Sequence, residues 1–201
     1  MTRLIAAPAA RTVGVSALGV SALAVLAAVA LAAGPARAAV TVVGAGLAEA
    51  CSKAAIAGGS ALSSQALCTQ ALNEEILTRR DRAGTFVNRG ILKMRRGEMA
   101  PALADFDEAA RYQPNLGDIY VNRGAALIAQ HRYADGLADL NKSLALGVGE
   151  PAKAYYNRAI AYEALDDVKS AYFDYQKALE LSPDWTAPRK ELARFHVARS
   201  E

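Results

Sequence analysis

Apolar and polar places recur along this chain on a period far longer than a helix turn. Phe86, Tyr120 and Tyr155 each stand four residues before a small residue, Gly90, Gly124 and Ala159. The polar pairs Asn88-Arg89, Asn122-Arg123 and Asn157-Arg158 precede those small residues and return at a nearly constant interval. Twelve residues further on stand Ala102, Gly136 and Ala171, and seven beyond these Ala109, Ser143 and Ala178. The large residues Phe106, Leu140 and Tyr175 lie between the two small sets, and two of the units close on Pro114 and Pro183. Self-similarity at a fixed period predicts stacked supersecondary units, none able to bury its apolar face alone. Each unit reads as two helices, with small residues where they cross and large residues filling the seam one turn away. The units are expected near 83–116, 117–151 and 152–185. Lys93, where the other units have Leu127 and Tyr162, and Val148, where a closing proline is expected, mark places of local loosening.

The flanks carry weaker versions of the pattern. Leu47 to Ala57 predicts a first helix, Gly58-Gly59 a break, and Ser60 or Ser63 a cap for a second helix through Leu62, Leu67 and Leu72. Residues 39–82 thus read as a degenerate leading hairpin, with Arg79-Arg80-Asp81-Arg82 as an exposed, cleavable charged link. Aligned on the regular units, Cys68 takes the place of Phe106 and Cys51 that of the arginine, so the two face each other across the hairpin. A disulfide between them is expected. At the other end, residues 186–201 set Leu192 and Phe195 against Arg189, Lys190, Glu191 and Arg194, the pattern of a capping helix with Trp185 packed beneath it.

The pattern of aromatic, then small, then Ala-x-x-x-aromatic-x-x-Ala, then Pro resembles the tetratricopeptide repeat, whose period is about 34 residues. That resemblance implies an all-α, right-handed solenoid of helix-turn-helix repeats, here led by a disulfide-linked hairpin and closed by a capping helix. It further implies a concave groove in which the asparagine of each first helix grips the backbone of an extended peptide. Asn88, Asn122 and Asn157 match that place, with Val121, Lys153, Tyr156 and Ile160 beside them. The family's clamp for a C-terminal carboxylate wants a lysine and a second asparagine where this chain has Val87 and Ile91, although Asn122 and Lys153 match two of its places.

Composition changes the picture at one point. Residues 1–38 begin with Arg3 and Arg11, run uncharged over 12–33, and end in Pro35-Ala36-Arg37-Ala38. This reads as a signal peptide cleaved before Ala39, the alternative being a retained membrane anchor. Of 23 basic residues three fall in that segment, which holds no acid, so the remainder is neutral at 20 against 20. The basic pI of the full chain therefore points to neither nucleic acid nor anionic lipid. Candidate chemistry is sparse: His131 and His196 are far apart and lack ligand partners at metal spacing, and Gly147-Val148-Gly149 lacks the context of a phosphate loop. No cofactor, metal or catalytic residue is implied.

The recurrent Arg89, Arg123 and Arg158 are each followed, at one constant spacing, by Asp105, Asp139 and Asp174. These predict structural ion pairs, within a unit or between neighbours. The expected function is a non-enzymatic binder of proteins or peptides, periplasmic or secreted, with no nucleic-acid partner and no membrane after signal cleavage. The alternative is an assembly subunit of an envelope or secretion complex, with the leader either cleaved or kept as an anchor.

Overall fold

The computed structural model describes residues 3–6, 39–42 and 46–198. Among them nine helices follow one another: α1 (Leu47–Ile56), α2 (Leu62–Glu74), α3 (Arg79–Arg95), α4 (Met99–Tyr112), α5 (Gly117–Ala129), α6 (Tyr133–Leu146), α7 (Pro151–Ala164), α8 (Val168–Leu181) and α9 (Thr186–Leu192). Two short strands, β1 (Arg3–Ala6) and β2 (Phe195–Ala198), pair antiparallel, with Arg3 opposite Ala198. The helices pack as antiparallel pairs, α1 with α2, α3 with α4, α5 with α6 and α7 with α8, each stacked on the next.

The small places are where backbones meet. A Cβ on Gly90 would lie 2.6 Å from the Phe106 ring, and one on Gly124 2.9 Å from Leu140 Cγ and 3.1 Å from the Gly136 carbonyl. Phe106, Leu140 and Tyr175 are fully buried behind them. Within each regular unit the turn between helices holds one residue with positive φ: Gly97 at 78°, His131 at 61° and Asp166 at 62°. His131 therefore has a backbone task, set at a position glycine fills most readily.

Several expectations are corrected. Residues 79–82 are the first turn of α3, not a solvent link: Thr78 caps that helix by accepting from the Asp81 N–H at 3.1 Å. Arg82 Nη1 also donates to the Leu72 carbonyl at 3.0 Å, so its charge satisfies the end of α2. Neither Ser60 nor Ser63 caps α2, whose N-cap is Ala61 without a side-chain bond. Lys93 does not loosen its unit; its Nζ lies 2.7 Å from Asp105 Oδ2. The capping helix stops at Leu192, and Phe195–Ala198, rich in aromatic and β-branched residues, is strand. Trp185 stands at the start of α9 and packs on Tyr156, ring centroids 4.8 Å apart. The proposed cleavage point and most of the leader lie outside the described residues. Among those described, no helix is long and apolar enough to cross a membrane.

Candidate peptide-binding face

The first helices of neighbouring units, α3, α5 and α7, contact one another more closely than the second helices α4, α6 and α8 do. The stack therefore curves with the first helices inward, and these carry both recurrent polar rows. Successive residues of a helix point about 100° apart, so each asparagine and its following arginine face different neighbours.

The arginines face the seam between helices. Arg89 donates to both oxygens of Asp105 at 3.0 and 2.7 Å, Arg123 to both of Asp139 at 2.7 and 2.7 Å, and Arg158 to both of Asp174 at 2.7 and 2.9 Å. The remaining guanidinium nitrogen reaches back to the preceding unit: Arg89 Nη1 to Thr69, Arg123 Nη1 to Asp107 and Arg158 Nη1 to Asn141. Each guanidinium also lies over the aromatic of its own helix, Phe86, Tyr120 or Tyr155, at 5.2–5.4 Å. One side chain thus ties three helices. The hydrogen bonds to Asp139 and to Asp174 raise the pKa values of Arg123 and Arg158 respectively. A crevice of about 390 Å³ between α4, α5 and α6 is lined by Leu103, Leu127, Arg132 and Asp135 beside this Arg123 contact. Its charges are already paired, Arg123 with Asp139 and Arg132 with Asp135.

In the leading hairpin Cys51 holds the arginine's place, and a disulfide to Cys68, Cα atoms 4.8 Å apart, joins the helices where the other units use the ion pair.

The asparagines do not share one setting. Asn88 is fully buried, and its amide is matched to the backbone of a single residue of the same chain: Oδ1 accepts the Val40 N–H at 3.1 Å and Nδ2 donates to the Val40 carbonyl at 2.9 Å. Asn122 is 3% exposed and its Nδ2 donates to the Asp118 carbonyl at 2.7 Å, one turn back in its own helix. Asn157 is half-buried and makes no side-chain hydrogen bond among the described residues.

The other residues expected on an open groove wall need correction. Val121, Tyr156 and Ile160 are buried in one apolar cluster that includes Tyr175. Burial pushes the Tyr156 phenol above its ordinary range. Lys153 is half-buried and pairs with Glu150 at 2.5 Å. Asp118, at the start of α5, accepts from the Gly149 N–H at 3.3 Å, and burial pushes its carboxyl above the usual range. Among the described residues no three His, Cys, Asp or Glu side chains are placed to hold a metal ion.

The residues that sequence reasoning missed are Val40, Val42 and Ser52. A faint signal existed: Val40-Thr41-Val42 alternates apolar and polar on the two-residue period of an extended chain. Nothing in the repeat told where it would dock.

Residues 152–184 match the family model of the tetratricopeptide repeat. Over 87 residues the chain is 38% identical to the Hsp70-Hsp90 organizing protein of Triticum aestivum, an overlap that takes in 43% of this chain and 15% of that relative. A solved structure of the first TPR of Spaghetti (RPAP3) bound to the HSP90 peptide SRMEEVD superposes with a TM-score of 0.54 at 25% identity, covering 57% of this chain and 93% of that one. The MamA RS-1 ArsTM double mutant superposes with a TM-score of 0.59 at 20% identity, covering 73% and 79%, which shows a shared fold.

Proposed function

We propose, from the match of residues 152–184 to the tetratricopeptide repeat, that the chain is a non-enzymatic module whose inner face binds an extended segment of a partner protein. The observation that carries this reading is the Asn88 amide, which takes both the N–H and the C=O of one residue, Val40. That is recognition of peptide backbone, indifferent to side chains. The likeness to a repeat domain solved with a peptide bound supports it. An acidic C-terminal tail is not the favoured ligand, because Val87 and Ile91, where a carboxylate clamp needs polar groups, are buried and apolar.

The place of action in this reading is an oxidising compartment, the bacterial periplasm. The leader-like composition of residues 1–38 and the Cys51–Cys68 disulfide support it. A second reading, an assembly subunit that keeps its leader, is favoured by the pairing of Arg3–Ala6 with Phe195–Ala198, which a chain cut before Ala39 would lose. The intact mass of exported protein separates the two: a product that begins at Ala39 supports the free module, full length the anchored subunit.

An array of unbiased peptides, followed by an N-methyl scan of those that bind, tests the binding mode. Backbone recognition predicts that methylating one or two central amides abolishes binding while most side-chain changes do not. Insensitivity to N-methylation at every position would refute it.

A further inference from the structure

Residues 39–42 form neither helix nor strand, yet they are held from two sides. From α3, Asn88 grips both backbone groups of Val40. From α1, Ser52, only 2% exposed, donates its hydroxyl to the same Val40 carbonyl at 3.0 Å. Both lone pairs of that carbonyl are therefore used.

The side chains follow the alternation of an extended strand. A Cβ on Gly84 would lie 2.9 Å from Val40 Cγ1 and 3.2 Å from Val42 Cγ2, so residues two apart contact one glycine of α3. Thr41 between them is exposed, and Val42 is 4% exposed, clustered with Ala48 and Ala71. Ala39 packs on the apolar group built by Cys51, Ala55, Cys68 and Leu92. Gly84 is needed for this approach, since any side chain there would strike the two valines.

We propose that Ala39–Val42 is a ligand carried in cis. It fills the first-unit end of the inner face, and an outside peptide reaches Asn88 only when the segment leaves. The matching outside ligand is an extended peptide with β-branched aliphatic residues two apart around a polar one. Only Val43 to Gly46 join the segment to α1, and so short a tether sets an effective concentration on the order of millimolar. A free peptide of equal intrinsic affinity loses that competition at micromolar concentration. The cis contact stands by itself; the competition rests on the peptide-binding reading above.

Two measurements on the full chain test the proposal. Hydrogen exchange should find the Val40 amide slowed at least about 100-fold relative to an open chain, with that protection lost in Asn88→Ala. A fluorescent synthetic peptide of residues 39–44 should bind the Val40→Gly/Val42→Gly variant at least about tenfold tighter than the parent, and adding Asn88→Ala should abolish the gain. Free exchange of Val40 in folded parent protein overturns the proposal. So does equal binding, or none, by parent and loosened variant when circular dichroism shows both helical and thiol labelling shows the disulfide intact. A protected Val40 together with an N-methyl scan that finds no backbone dependence would support the cis contact while sinking the wider binding reading.

Discussion

The arginine row and the asparagine row sit side by side on the same three helices, yet one repeats in its contacts and the other does not. Arg89, Arg123 and Arg158 each fork onto an aspartate of their own unit and reach one polar side chain of the unit before. Asn88 holds the backbone of Val40, Asn122 bonds back into its own helix, and Asn157 is left half-buried. The arginine's partners recur with it: an aspartate at a fixed distance along the chain, and Thr69, Asp107 or Asn141 directly after Cys68, Phe106 or Leu140. The amides' partners do not recur: Asn88 holds a backbone from outside the regular units, and Asn122 bonds the preceding turn of its own helix. Where the partner repeats with the residue, the role is architectural; the proposed ligand contact is placed where it does not.

Breaking the repeated pair should have the largest effect. Asp139→Ala leaves Arg123 partly buried beside Asp107 alone, and a buried pair broken on one side costs about 3–5 kcal/mol. Thermal unfolding should show it as a large drop in Tm, and Asp105→Ala and Asp174→Ala should match it. A drop confined to one unit would mean that the forks are not equivalent.

This pair was legible because both members recur: the sequence left open whether the contact lay within or between units, and the side chain does both. The helical hairpins and the disulfide were legible for the same reason, since periodic small and large places register the units against one another. Charge alone misled at Arg79–Arg82, where Thr78 and Asp81 start a helix that runs into the repeat. The self-docked segment was not legible, because its partners Asn88 and Gly84 lie in α3, beyond two intervening helices, and nothing local ties Val40 to them.

The leading hairpin replaces the charged fork with a covalent bond. Reducing Cys51–Cys68 should cost about 3 kcal/mol for a loop of this size, read as a fall in the denaturant midpoint of reduced against oxidised protein. A change near zero would mean that α1 and α2 are held by packing alone.

Next comes the amide row at its filled end. Asn88→Ala strips the Val40 N–H of its acceptor and the carbonyl of one donor, a loss of about 1–3 kcal/mol when such groups stay buried. Asn157→Ala should leave the melting temperature unchanged or slightly raised, because alanine is the better helix former by up to about 0.7 kcal/mol. Equal losses at both positions would erase the distinction between filled and open stations.

The smallest effect belongs to Asp118, whose carboxyl is pushed up by burial. A raised carboxyl pKa favours the folded state below its unfolded value and penalises it once the folded group ionises. Asp118→Asn should therefore raise Tm at neutral pH, and the gain should shrink as pH falls through the carboxylate range and vanish once the carboxyl is protonated in both states. A gain independent of pH would assign it to packing instead.

Neighbouring residues of α7 set the two rows against each other. Calorimetric titration of an array-selected peptide should be run on the parent, on Asn157→Ala and on Arg158→Lys, which keeps the charge but loses the fork onto Asp174. Asn157→Ala should bind roughly tenfold more weakly with its melting temperature intact, while Arg158→Lys should melt lower and bind like the parent. If Asn157→Ala binds normally and Arg158→Lys loses the peptide, the ligand sits on the charged row and the inner amide face is not the binding surface.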